Sequence, residues 1–147
     1  MPRLYIVSLL FVCLTFSGLA QKKLKQIIAF ADEQYVKGDF YYALEYYKQA
    51  LEKDSNSIKL LWKYAETLRS YKDYANAETY YAKVYAREQT KTYPNSLLNL
   101  ALMQKQNGRY TQAIKTLELS AEKLERIKIS PFYIKTIREI ESCKWAL

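Results

Sequence analysis

Apolar side chains in this chain of 147 residues recur at spacings of three and four, which places them on one face of an α-helix. Phe40, Ala43, Tyr47 and Ala50 form one such stripe, in which small and large side chains alternate. Upstream, Ile27, Phe30 and Ala31 form another, and the polar break Lys37-Gly38-Asp39 separates the two. A helix, a tight turn and a second helix are therefore expected here. Glycine and proline occur three times each, while Ala, Leu, Lys, Glu, Gln and Tyr dominate, which favours helix over strands joined by turns.

The same arrangement recurs twice. Tyr71-Lys72-Asp73-Tyr74 is followed by Ala77, Tyr81 and Val84; Asn107-Gly108-Arg109-Tyr110 is followed by Ala113, Leu117 and Ser120. Before these turns stand Leu61, Tyr64 and Ala65, then Leu97, Leu100 and Ala101. The offsets between copies are 34 and 36 residues. Ala31, Ala65 and Ala101 sit where the first helix of each pair crosses the second, and a small side chain there allows the ~8 to 10 Å approach of packed helices. Most of the fifteen tyrosines then read as core or half-core residues with their hydroxyls at the rim. The sharper alternative is an aromatic binding ladder of Tyr41, Tyr46 and Tyr80.

On these residues the chain resembles the tetratricopeptide repeat (TPR) family, over roughly residues 24 to 127. The resemblance implies an all-α fold, a right-handed α-solenoid of three helix-turn-helix repeats at about 24–57, 58–91 and 94–127. The two-residue surplus falls near Tyr93-Pro94, where a loop can absorb it. Two departures stand out: Lys72 occupies a position where glycine is usual, and no copy has the proline that commonly closes the repeat. Beyond the third copy, Ser130 reads as an N-cap and Pro131 as a first helical residue. A seventh helix is expected over about 131–146, with Ile134, Ile137, Ile140 and Cys143 on one face, closing the end of the array. The TPR domain as a whole is expected over 21–147.

Residues 1–20 have the three-part build of a secretory signal: Arg3, an apolar run from Leu4 to Phe16, then small residues up to Ala20. Cleavage after Ala20 is expected, with a retained anchor as the alternative. Loss of this segment leaves 22 basic against 15 acidic residues, a net charge of +7. In an exported chain with its cations interspersed among Glu and Asp, that surplus reads as a solvated face rather than a nucleic-acid site. Cys143 would be the one remaining thiol, so no internal disulfide can form; an inert buried thiol is the expectation and intermolecular pairing the alternative.

Catalysis finds no footing in the sequence. There is no histidine, no glycine-rich phosphate loop and no serine in a nucleophile-elbow context. No metal site and no cofactor are expected, and pairs such as Asp32-Glu33 read as surface charge. What remains is binding of a protein or peptide. In the TPR family the first helices line a concave groove. Carried over by register, that groove would be lined by Lys25, Ile28, Asp32, Tyr35 and Val36 from the first copy. The second would supply Lys59, Trp62, Glu66, Arg69 and Ser70, the third Asn95, Leu98, Leu102, Lys105 and Gln106. Trp62 is the centre of this set: a large aromatic near Arg69 and Lys59 has the composition of an interface hot spot, and filling a gap between repeats is its competing role. One TPR subclass clamps a carboxylate terminus with lysine, asparagine and arginine. Here Ile28, Asp32, Glu66, Leu98 and Leu102 occupy those places, which excludes that ligand. An amphipathic helix or extended segment of a folded partner suits a mixed groove with Trp62 and Leu98 at its floor.

A signal-like N-terminus, three TPR-like units and a helix ending in Glu141-Ser142-Cys143-Lys144-Trp145-Ala146 is also similar to the N-terminal module of Bacteroidetes-type OmpA-like envelope proteins. Some of these serve type IX secretion and gliding. This resemblance implies an exported scaffold, periplasmic or outer-membrane-associated, with any peptidoglycan contact made by a larger parent protein. The alternative is an electrostatic tether to cell wall or anionic membrane through the basic face and the Lys22-Lys23-Lys25 cluster.

Overall fold

The computed structural model describes residues 21–125 and 130–147. The expected signal segment 1–20 and the expected end of the third repeat at 127 lie outside the described residues. The chain divides at Asp54 and Ser55 into two compact units, each built from helices joined by short turns.

In the first unit, α1 is described over 21–37 and α2 spans Phe40–Lys53. Ala31, Ala43, Tyr47 and Ala50 are buried, so the small residues stand where the expected helix crossing needs them. Gly38 makes the reversal at φ +80. Its N–H donates to the Tyr35 carbonyl (3.0 Å) and the Asp39 N–H to the Gln34 carbonyl (2.9 Å), a Schellman closure of α1. Asp39 then caps α2, its carboxylate accepting from the Tyr42 N–H at 3.3 Å.

The second unit holds α3 (Ile58–Ser70), α4 (Tyr74–Glu88), α5 (Ser96–Gln106), α6 (Tyr110–Leu124) and α7 (Pro131–Lys144). Helices adjacent in sequence pack on one another, and α7 also touches α5. Both internal turns repeat the Gly38 geometry. Lys72 at φ +66 and Gly108 at φ +75 each donate three residues back, and the following Asp73 and Arg109 N–H groups donate five residues back. Lys72 thus adopts a left-handed conformation that glycine enters more cheaply. The loop from α4 to α5 absorbs the extra residues, and buried Glu88 ties it down: its Oε2 accepts from the N–H groups of Thr92 (2.5 Å) and Tyr93 (3.2 Å).

Helix α7 begins as expected, with Ser130 Oγ accepting from the Phe132 N–H at 3.3 Å and Pro131 at the first position. Its buried face differs from the expected one. Thr136, Ile140 and Cys143 are buried, whereas Ile134 and Ile137 are exposed. Steps of three lag the helical period by about 60° each, so a line from Ile134 to Cys143 turns half-way round the helix. Spacings of four and three from Thr136 stay on one side. No helix among the described residues is long and apolar enough to cross a membrane.

Candidate functional site

The groove positions inferred from the repeat fall on α1 in the first unit and on α3 and α5 in the second. On α1, Lys25 and Val36 are exposed, while Ile28, Asp32 and Tyr35 are half-buried. The Tyr47 hydroxyl of α2 donates to Asp32, and the Tyr35 ring meets Phe40 edge-on at 5.6 Å.

In the second unit the equivalent pair is Glu66 and Tyr81, the centre of a closed polar network. The buried Tyr81 hydroxyl donates to Glu66 Oε1 at 2.5 Å, and Arg69 Nη2 donates to Glu66 Oε2 at 2.5 Å. Arg69 Nε reaches the Tyr81 oxygen at 3.1 Å, and Asn99 Nδ2 of α5 donates to Glu66 Oε1 at 2.9 Å. Burial first, then the Glu66 charge and hydrogen bond, push the Tyr81 phenol well above its usual range. Burial and Asp32 do the same to Tyr47. The hydroxyls of these two tyrosines therefore end in carboxylates rather than at the wet rim expected of them.

Trp62 lies one turn before Glu66 on α3. Its indole stacks on Tyr93 of the α4–α5 loop (centroids 4.4 Å apart, planes 12° apart) and meets the Tyr81 ring edge-on at 5.5 Å. The gap-filling role is thus real, and it leaves Trp62 half-buried. Arg69 keeps 40% of its side chain exposed despite its bonds, and Lys59 is exposed.

Further along, Lys105 of α5 donates to Glu139 Oε2 and Ser142 Oγ of α7, both at 2.8 Å. The hydrogen bond to Glu139 leads in raising its pKa. Side chains from successive first helices are thereby linked, α3 to α5 through Glu66 and Asn99, and α5 to α7 through Lys105 and Glu139. Leu98 is placed differently from its expected position on a groove floor: it is 1% exposed, in a cluster with Ala101, Ala113, Leu117, Ile140 and Cys143, because α7 covers that side of α5. Leu102 packs half-buried against the same cluster. Asn95 precedes α5 without a side-chain cap, Ser70 is half-buried and Gln106 is exposed.

The proposed aromatic ladder is mostly occupied within the chain. Tyr46 packs on Phe30 at 4.3 Å, and Tyr80 meets Tyr64 at 4.6 Å with Lys83 Nζ 4.3 Å over its ring. Tyr41 remains exposed beside Tyr42. Sequence reasoning missed Asn99, one turn after the position chosen from the register, and it missed Glu78. Glu78 is buried and accepts from Asn107 Nδ2 at 2.8 Å and from Arg109. Both contacts join residues about thirty apart, which a local pattern does not expose. Among the described residues no cluster of His, Cys, Asp and Glu could hold a metal ion. Burial raises the Cys143 thiol above its usual range, as befits an unreactive sulfur.

No protein-family model and no curated protein matches the sequence. Solved structures do match the fold. The type III secretion translocator chaperone SycD of Yersinia enterocolitica, in complex with a peptide of the translocator YopD, superposes with a TM-score of 0.73. It is 17% identical, over 85% of this chain and 95% of that one. The TPR2B domain of yeast Sti1, in complex with pHsp70, gives 0.72 at 14% identity over 85% and 98% of the two chains. The Sgt2 TPR domain from Aspergillus fumigatus gives 0.67 at 16% identity over 84% and 78%. The chain therefore has an all-α fold of tetratricopeptide type.

Proposed function

We propose that the α3–α5 face of the second unit binds a peptide or helix of another protein, which makes the chain an interaction scaffold without catalytic chemistry of its own. The observation that carries this reading is that Trp62 and Arg69 are held in place before any partner arrives. Trp62 is fixed by Tyr93 and Tyr81, Arg69 by Glu66 and Tyr81, and both still reach solvent. Side chains already ordered lose little freedom on binding, and tryptophan with arginine is the composition of binding hot spots. Lys59, three residues before Trp62, adds a cation. The partner that fits is an amphipathic helix or extended segment offering an apolar side chain to Trp62 and acidic ones to Lys59 and Arg69. The fold likeness to SycD with its YopD peptide and to the Sti1 domain with pHsp70 supports this reading.

The setting we propose is the bacterial cell envelope, reached by export through residues 1–20, with the chain serving an outer-membrane-associated or secretion assembly. Affinity capture from native envelope, using the protein and its Trp62→Ala and Lys59→Glu variants as baits, tests the site. Partners retained by the parent should fall at least about tenfold with each variant, the effect of some 1.4 kcal/mol. Identical recovery from variants whose circular dichroism is unchanged would overturn it. N-terminal sequencing of the chain recovered from cells should begin at Gln21 if the export reading holds.

A further inference from the structure

The outer face of α7 carries exposed apolar side chains as well as charges. Surfaces left to water seldom group large apolar side chains except at contact sites, yet here Ile134 is 43% and Trp145 89% exposed. Buried Thr136, Ile140 and Cys143 define the inner side of the helix. Directly opposite run Ile134, Arg138, Glu141 and, at the first position past the helix, Trp145, which keeps helical backbone angles (φ −68, ψ −18). Their spacings are four, three and four, so they form one straight stripe along about three turns. Its order is apolar, cation, anion, apolar. Read from the other end, it is apolar, anion, cation, apolar.

That reversal has a geometric consequence. When two copies of such a stripe lie antiparallel about a two-fold axis between positions 138 and 141, Ile134 of each meets Trp145 of the other. Arg138 of each likewise meets Glu141 of the other. Both apolar ends become covered and both charges gain an opposite partner, the self-complementarity that an isologous interface requires. We infer that the outer face of α7 is a homodimer contact, occupied by α7 of a second copy. The charges favour this occupant. Arg138 makes no ion pair among the described residues, and Glu141 has only an exposed contact with Lys144 at 3.3 Å, of a kind that contributes little and is readily exchanged. Ile137, also exposed, borders the stripe and widens the apolar contact. A single pair of helices about 21 Å long buries less than the ~1,200 Å² of a standard stable interface, so the dimer is concentration-dependent. This contact is separate from the binding face around Trp62 and does not depend on it.

The test is light scattering or sedimentation equilibrium of the purified protein from about 5 to 500 μM, a range that spans micromolar dissociation constants. The weight-average mass should climb from one chain toward two. Arg138→Glu and Glu141→Arg each set like charges face to face, and each should hold the protein at one chain over this range. The double variant Arg138→Glu/Glu141→Arg restores opposite charges and should restore the climb. Trp145→Ala should weaken dimerisation about tenfold or more. All four positions are exposed, so circular dichroism should be unchanged. A mass fixed at one chain for the parent, a dimer indifferent to the single swaps or to Trp145→Ala, or a double swap that fails to rescue would each overturn the assignment.

Discussion

The second and third helix pairs fill one equivalent position with opposite chemistry. In the second, a half-buried acid, Glu66, meets a buried phenol, Tyr81, and the pair is held by Arg69 and Asn99. In the third, the same positions 36 residues later are Leu102 and Leu117, which belong to the apolar cluster beneath α7. An apolar pair needs only volume and cover. A polar pair needs every donor and acceptor matched, since an unsatisfied buried group costs more than a satisfied one contributes. The polar version does something the leucines cannot: it fixes a half-exposed arginine beside a half-exposed tryptophan. The part of this unit with a surface to offer a partner is therefore the part built from polar groups.

Breaking each version separately gives the largest predicted effects. Leu117→Ala should cost about 2 to 5 kcal/mol in urea unfolding, because it opens a cavity in a closely packed cluster. Tyr81→Phe should cost about 1.5 to 3 kcal/mol, because a hydrogen bond from a buried hydroxyl to a charged, half-buried carboxylate is lost. Converting both positions to the third repeat's solution, Glu66→Leu with Tyr81→Leu, should cost less than the two single changes added together. A coupling of about 0.5 to 3 kcal/mol is expected between side chains in contact. Additive costs would show that Glu66 and Tyr81 do not act as a unit.

The fold was legible because the crossing residues are local signals. Ala31, Ala65 and Ala101 recur with the turn and are all fully buried. Reading the site was harder, for two physical reasons. Register places a residue on a helix face but does not say what covers that face, so Leu98 was expected at a groove floor and lies under α7 instead. Nor does register show which polar groups pair across repeats, so Glu66 was readable as a groove position while its link to Asn99, 33 residues on, was not. On α7 the isoleucines stand three apart, and the drift of that spacing round the helix hides which of them face solvent.

Alkaline pH sharpens the contrast between the two repeats. The folded-state pKa of Tyr81 lies above the value near 10 of an unfolded tyrosine, because burial and Glu66 both disfavour the phenolate. The stability it confers is therefore complete below about pH 10 and falls as the pH rises further, since only the unfolded chain then loses the proton. The slope is at most about 1.4 kcal/mol per pH unit. Leu117 has no such dependence. Urea midpoints at about pH 8 and 11 should thus draw together for the parent and Tyr81→Phe, the parent losing more. A constant gap between them would refute the contact between the buried Tyr81 phenol and Glu66.

The smallest effect comes from the turns that precede Tyr81 and Leu117 in their repeats. Lys72 and Gly108 hold the same left-handed position with the same pair of closing hydrogen bonds, at φ +66 and φ +75. A side chain in that conformation costs about 1 to 2 kcal/mol, offset in part by the greater freedom glycine has in the unfolded chain. Lys72→Gly should therefore gain about 0.5 to 1 kcal/mol, and Gly108→Ala should lose a similar amount. Nothing lies within 4 Å of a Cβ built at Gly108, so its loss would be conformational rather than steric. The Lys72 side chain is exposed, with no hydrogen bond or ion pair among the described residues, so its removal sacrifices no contact. Unfolding free energies of both variants that moved in the same direction would show that the two turns are not equivalent, and that Lys72 contributes something beyond its backbone angle.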